Sequence, residues 1–288
     1  MELKSYVHIA RNKLLFQYAP FVRPLVYSAF SINESPIVVL GNQKAGTSAI
    51  AALLARATGS SYDIDIAGFR NAEYSALHGG SADFRKLVAS KARIEFSKDV
   101  VKEPNLTFLY PQLRKAFPAA QVVLITRNPF QNIRSTLNRL SLPGDLPQLS
   151  PKHVSDISAI WHSILMNEWV GDPSRTDLNY VGRSAERWQQ AADVYLDHQD
   201  ELTLIRYEDF VADKQRAIER LAAQLGRPVT HDIGSRVDVQ FQPKGKRKVD
   251  LRAFFGDNYA TIERECARGI EQLYPELTTM SSAPSSQR

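Results

Sequence analysis

The chain has 288 residues, 43% hydrophobic, 23% charged and 9% aromatic, which is ordinary globular usage and excludes collagen-like, low-complexity and disordered readings. Its 36 Lys and Arg against 31 Asp and Glu leave a net charge of +5, enough to suit an anionic small ligand and too slight to argue for nucleic acid. A single cysteine, Cys266, excludes a disulfide framework and a cysteine-cluster metal site within the chain.

No stretch approaches the ~20 apolar residues of a membrane span. Glu2, Lys4, His8, Arg11 and Lys13 open the chain without a following apolar, cleavable run, so the expected setting is cytoplasmic and reducing. Residues 6–32 interleave Phe16, Tyr18, Phe21, Tyr27 and Phe30 with Arg11, Lys13 and Arg23. The favoured reading is one or two helices covering a side of the domain; the alternative is peripheral contact with a membrane surface.

Ile37-Val38-Val39-Leu40, closed by Gly41, predicts a buried parallel strand. The turn 41–48 leads into a helix over 49–56 that stops near Gly59. Tyr62-Asp63-Ile64-Asp65-Ile66 alternates like a strand, which places Asp63 and Asp65 on one face. A strand end at 99–102 is halted by Pro104, and 109–117 reads as helix. Residues 121–126 form a second buried strand, 130–140 a helix, and Pro143, Gly144, Pro147 and Pro151 an extended loop. Helices are expected over 152–169 and 183–198, a third buried strand over 202–206, and a helix over 214–225 capped by Gly226. Trp161, Trp169 and Trp188 read as core on helix faces, and Cys266 as buried within the apolar period Tyr259, Ile262, Cys266, Ile270, Leu273. Alternating strands and helices predict an α/β three-layer sandwich around a central parallel sheet. One domain is expected over 1–278, with 1–35 as an N-terminal helical segment and 279–288 as a flexible tail.

The strand–turn–helix at 37–56 reads as a phosphate cradle, in which backbone N–H groups and the helix dipole favour an oxyanion. The Walker A pattern fits at Gly41 and Gly46, but Thr47 stands where its lysine belongs, and the lysine is three residues earlier at Lys44. The second buried strand ends in Thr126-Arg127 where a metal-binding Asp would be needed. A P-loop kinase or nucleoside triphosphatase is therefore the disfavoured alternative, and no metal is expected; the histidines also lack a zinc-type i, i+4 pairing around a Glu.

Gln43-Lys44-Ala45-Gly46-Thr47-Ser48 resembles the 5′-phosphosulfate loop of the sulfotransferases, with Gln43 for the usual proline and Ala45 for the commoner serine. Val122–Pro129 with Ser135 resembles the family's 3′-phosphate site, Arg206-Tyr207-Glu208-Asp209 its late "RYED" signature, and Lys102-Glu103-Pro104 the K-x-P element of the tyrosylprotein and glycan branches. The resemblance implies a P-loop-like fold. It also implies transfer of a sulfuryl group from 3′-phosphoadenosine 5′-phosphosulfate (PAPS) to an acceptor hydroxyl, releasing adenosine 3′,5′-bisphosphate (PAP).

It assigns Gln43, Lys44, Ala45, Gly46, Thr47 and Ser48 to the donor's 5′ end, with Lys44 and Lys102 as catalytic cations. Arg127, Ser135 and Arg139 go to the 3′-phosphate, Tyr207 to the nucleotide, and Lys244, Gly245 and Lys246 to a loop over the adenosine. No His follows the K-x-P lysine, so the resemblance favours a carboxylate base. Asp65, nineteen residues past Gly46, is the candidate, with Asp63, Glu73, Glu103 and His78 as competitors. That arrangement leans toward a saccharide or glycolipid acceptor; a phenolic or natural-product acceptor is the alternative.

Overall fold

In the computed structural model the described residues are 23–237 and 249–277. They form two compact units, one holding the described residues of 1–126 and 198–244, the other those of 127–197 and 245–288.

The first unit holds the sheet. Five strands, β1 (Ile37–Gly41), β2 (Tyr62–Ile64), β3 (Val100–Lys102), β4 (Gln121–Thr126) and β5 (Leu202–Arg206), lie in the order β2-β3-β1-β4-β5, all parallel. Every residue of β1 is buried, as its unbroken Ile-Val-Val-Leu run requires when both faces of a parallel sheet are covered. One face packs Ile37, Val39, Val100, Val123 and Ile125 against Ile50, Leu53 and Leu54 of the helix Thr47–Ala57 and Ile218 and Leu221 of the helix Lys214–Gln224. Each such side chain contributes about 1.5–3 kcal/mol by leaving water, so the strand–turn–helix at 37–57 stands on a buried apolar face of the sheet. Gly226, at φ 64°, stops the second helix as expected.

Two strand readings change. β2 ends at Ile64, because Asp65 takes a left-handed backbone (φ 66°). The alternation is broken there, so Asp63 is buried while the Asp65 side chain is 60% exposed. Among the described residues β5 is an edge strand paired with β4, half-buried rather than a third fully buried strand.

The second unit is helical. Its long helices, Pro129–Leu140 and Tyr180–Asp197, combine with Asn258–Glu265 and Ala267–Leu273. Cys266 sits at the joint of the last two, fully buried, its thiol donating to the Ala185 carbonyl at 3.5 Å. Trp188 is core, but Trp161 and Trp169 are only half-buried and face the guanidinium groups of Arg139 and Arg187 instead. The single helix expected over 152–169 is two short ones, Pro151–Val154 and Ala159–Leu165. Ser158 takes an extended backbone and starts the second, and Asn167 follows it at φ 52°. Asn167 is held there by side chains of the Tyr180–Asp197 helix, its amide donating to Glu186 and Gln190 at 2.9 Å each.

Candidate active site

The 41–48 turn leaves the carboxyl end of β1, next to both β3 and β4, where the direction of the chain's strand order reverses. Open parallel sheets bind ligands at that crevice. Three of its residues have positive φ: Gly41 (137°), Lys44 (67°) and Gly46 (96°). A Cβ at Gly41 would stand 2.3 Å from the Ile125 carbonyl oxygen, and one at Gly46 would stand 2.3 Å from Cδ2 of Tyr207. Glycine is therefore required at both positions by space as well as by conformation. Lys44 carries a side chain in a backbone region that costs about 1–3 kcal/mol, a strain that persists where surroundings enforce it and that clusters at ligand sites.

The helix Thr47–Ala57 starts at Gly46 with no side-chain cap, so its first turn presents backbone donors and the positive dipole end to the crevice. Thr47 is buried and Ser48 half-buried at that start; Ala45 turns its methyl into the core and has only backbone to offer a ligand.

The loop is braced by the turn that follows β3. Asn105 Oδ1 accepts from Gln43 Nε2 at 2.6 Å, and the Thr107 hydroxyl serves both polar groups of Gly41, accepting from its N–H at 2.8 Å and donating to its carbonyl at 3.1 Å. Sequence reading missed both residues. They lie more than sixty positions from their partners, and the only local signal was the helix-start pattern Glu103-Pro104 that opens the turn Pro104–Leu109.

Lys102 ends β3, buried, and its amine forms an ion pair with the exposed carboxylate of Asp65. The Asp65 N–H donates to the Lys102 carbonyl at 2.9 Å, so backbone and side chains of the two catalytic candidates are tied together. The competing carboxylates are placed differently. Glu103 is fully buried; its two oxygens accept from Ile66 N and Asn105 N, each at 3.0 Å. Burial, followed by the charge of Asp65, pushes its carboxyl up, and Lys102 opposes this. Burial, then the Glu103 charge, carries the Tyr74 hydroxyl well above its ordinary range. Glu73 is taken up by Lys91 and the Arg70 N–H. Asp63 is buried beside Glu95, whose carboxyl is pushed up to about 7 by burial and then by the Asp63 charge. His78 is half-buried at the end of the helix Asn71–His78.

Tyr207 begins the helix Tyr207–Ala212 directly after β5, and its ring is the surface that Gly46 lies against. In the second unit Arg127 follows Thr126 at the end of β4, and its carbonyl accepts from the Trp188 indole at 2.8 Å. Asn128 caps the next helix through the Gln131 N–H. Ser135 and Arg139 lie four apart on that helix, Ser135 half-buried and Arg139 exposed beside the Trp161 ring at 6.0 Å. Lys244, Gly245 and Lys246 lie outside the described residues, as do residues 6–22 and the tail from 278. Among the described residues no three His, Cys, Asp or Glu side chains group as metal ligands, and no helix is long and apolar enough to cross a membrane.

A five-stranded parallel sheet whose first strand turns through a glycine-bordered, lysine-bearing loop into a helix defines a P-loop-like α/β protein. The family model described as "Sulfotransferase family" matches residues 65–232, more than half of the chain. The chain belongs to the sulfotransferase family, enzymes that move a sulfuryl group to an acceptor. A sulfotransferase of Mycobacterium avium shares the fold at 12% identity, with a TM-score of 0.51 over 95% of this chain and 86% of that one. A sulfotransferase from Alicyclobacillus acidocaldarius is 18% identical, with a TM-score of 0.44 over 82% and 97% of the two chains. A mouse sulfotransferase complexed with PAP is 13% identical, with a TM-score of 0.45 over 91% and 90%. No curated protein sequence matches the chain.

Proposed function

We infer that this sulfotransferase uses PAPS as donor and sulfates a hydroxyl of a carbohydrate or glycolipid without a metal. The observation that carries the reading is the 41–48 loop, an uncapped helix start behind two obligatory glycines with Lys44 held in the turn. A doubly charged 5′-phosphosulfate suits such a cradle. Arg127, Ser135 and Arg139 are assigned to the donor's 3′-phosphate and Tyr207 to the nucleotide. Lys244, Gly245 and Lys246 are assigned to the loop over the adenosine.

In the transfer, the bond from sulfur to the acceptor oxygen forms as the bond from sulfur to the bridging phosphate oxygen breaks, and PAP leaves. Lys44 neutralises charge that grows on the bridging oxygen and Lys102 charge on the sulfuryl oxygens. Asp65 takes the hydroxyl proton; it is the carboxylate of the group that is exposed, while Glu103 and Glu73 already accept backbone N–H groups. A carboxylate base, with no His after Lys102, supports a sugar hydroxyl as acceptor. The proposed setting is cytoplasmic, with residues 6–32 as the part that would meet a lipid-linked acceptor.

Calorimetric titration tests the donor assignment. PAP should bind in EDTA, and more tightly than ATP. Binding of ATP that requires Mg²⁺, with none of PAP, would replace this reading with the kinase one. A screen of saccharide, glycolipid and phenolic hydroxyls with labelled PAPS then decides the acceptor class; sulfation of phenols alone would remove the sugar assignment.

A further inference from the structure

Glu103 occupies the middle position of the K-x-P element, yet it is buried. A buried carboxylate is costly unless it is fully hydrogen-bonded, and each Glu103 oxygen is given to a different loop. Oε2 accepts from Ile66 N–H, next to Asp65, and Oε1 accepts from Asn105 N–H. Asn105 in turn holds Gln43 of the anion loop through its side chain. One continuous chain of hydrogen bonds thus runs from the turn that carries Asp65, through Glu103, to the loop that carries Lys44. Lys102 and Glu103 are successive residues of an extended backbone, so their side chains leave it on opposite sides. Lys102 holds the Asp65 carboxylate and Glu103 the amide that follows it.

We propose that Glu103 is a positioning residue for catalysis, setting the Asp65–Lys102 pair in register with the anion loop. The inference rests on the reading of Asp65 as base and of 41–48 as the donor site. Glutamate suits the role because it is the side chain of this size with two acceptor oxygens and, when ionised, no donor. Glutamine would turn an NH₂ toward one of the two amides. The carboxyl is pushed up by burial and by Asp65 and held down by Lys102, and the Tyr74 hydroxyl is the other titratable group against it.

Glu103→Gln is the test, read by amide exchange, PAP binding and PAP release from PAPS with water or any hydroxyl that supports turnover. Exchange at 65–67 should speed by about tenfold or more, with β1 and β4 unchanged and PAP affinity kept within about threefold. The kcat should fall by about tenfold or more, as expected for a misplaced catalytic group. In an Asp65→Asn background the same change should cost less than about twofold, because the positioned group is gone. Equal losses in both backgrounds, unchanged exchange at 65–67, or a loss of PAP affinity as large as that of kcat overturns the proposal. If Glu103→Gln does not fold, Glu103→Asp, one methylene too short to reach both amides, should show the same pattern. A wild-type kcat in Asp65→Asn alone refutes the base reading itself, and with it the catalytic meaning of the contact; the exchange data separate that failure from one that is Glu103's alone.

Discussion

Glu95 lies under β2 with Asp63, and its buried carboxyl is pushed up to about 7 from an ordinary 4.5, first by burial and then by the Asp63 charge. Its Oε1 accepts from the Ala67 N–H at 3.3 Å, two residues past Asp65. Because the folded state binds this proton more tightly than the unfolded chain does, stability falls as pH rises through the interval from 4.5 to about 7 and is level above it. At about 1.4 kcal/mol per tenfold change in proton affinity, ionising Glu95 at high pH costs the fold about 3 kcal/mol. Glu95→Gln removes the titration and keeps a carbonyl for the Ala67 amide. Urea unfolding of both proteins from pH 4 to pH 8.5 should show nearly parallel stabilities below pH 4.5. The variant should then gain progressively, by up to about 3 kcal/mol above pH 7. A difference that stays constant across the range, or that grows toward acid, refutes the placement of this carboxyl in a dry, negatively charged pocket. Asp63→Asn should recover part of the gain, since the second cause of the shift is its charge.

Lys44→Ala should lower kcat by about 10²–10³, the usual cost of deleting one preorganised charge-stabilising donor, whereas Arg127→Ala should act mainly on the donor KM; steady-state kinetics with PAPS separates the two, and full activity retained in both variants would mean the site is misassigned. Thr107→Val keeps the shape but strips Gly41 of its N–H acceptor, and a thermal melt should show a loss of about 1–3 kcal/mol, the cost of a buried amide left unpaired. Gly46→Ala combines a positive φ of 96° with a Cβ 2.3 Å from the Tyr207 ring; PAP binding by calorimetry should be lost, and retained binding would show that the turn can rearrange around a side chain.

The parts of the site that were legible in the sequence are those whose chemistry is local. Gly41, Lys44 and Gly46 lie within six residues, and the apolar run of β1 and the helix after it place them without any long-range contact. Lys102 was legible because β3 is short and Pro104 marks its end. Asp65 was chosen by its distance along the chain, but the face it shares with Asp63 was read wrongly: a period of two presumes a continuing strand, and a left-handed Asp65 ends β2 at Ile64. The helices Asn71–His78 and Phe84–Lys91 were not anticipated. Each is only two turns long, with few apolar positions, so packing rather than periodicity holds it. The split of the 152–169 segment has the same origin, since Asn167 is fixed at φ 52° by Glu186 and Gln190, some twenty positions on, and no pattern of apolar residues records that.

Long-range braces escape sequence reading for a different reason, and the "RYED" motif shows how a motif can hide one. Tyr207 was assigned to the nucleotide because it stands in a binding signature. In the fold its ring is packed on Gly46, the residue that starts the loop helix, some 160 positions earlier in the chain. A loop bent through Gly46 needs a wall on the side where a Cβ would have been, and an aromatic ring leaving the end of β5 supplies one. The glycine of one motif and the tyrosine of another are thus two halves of a single steric contact. Substituting either should disturb the other's role, whatever further contact Tyr207 makes with the donor. The same logic joins Gln43 to Asn105 and Gly41 to Thr107. The 41–48 loop is thus held by residues that the topology of the sheet, and not their place in the chain, brings to it.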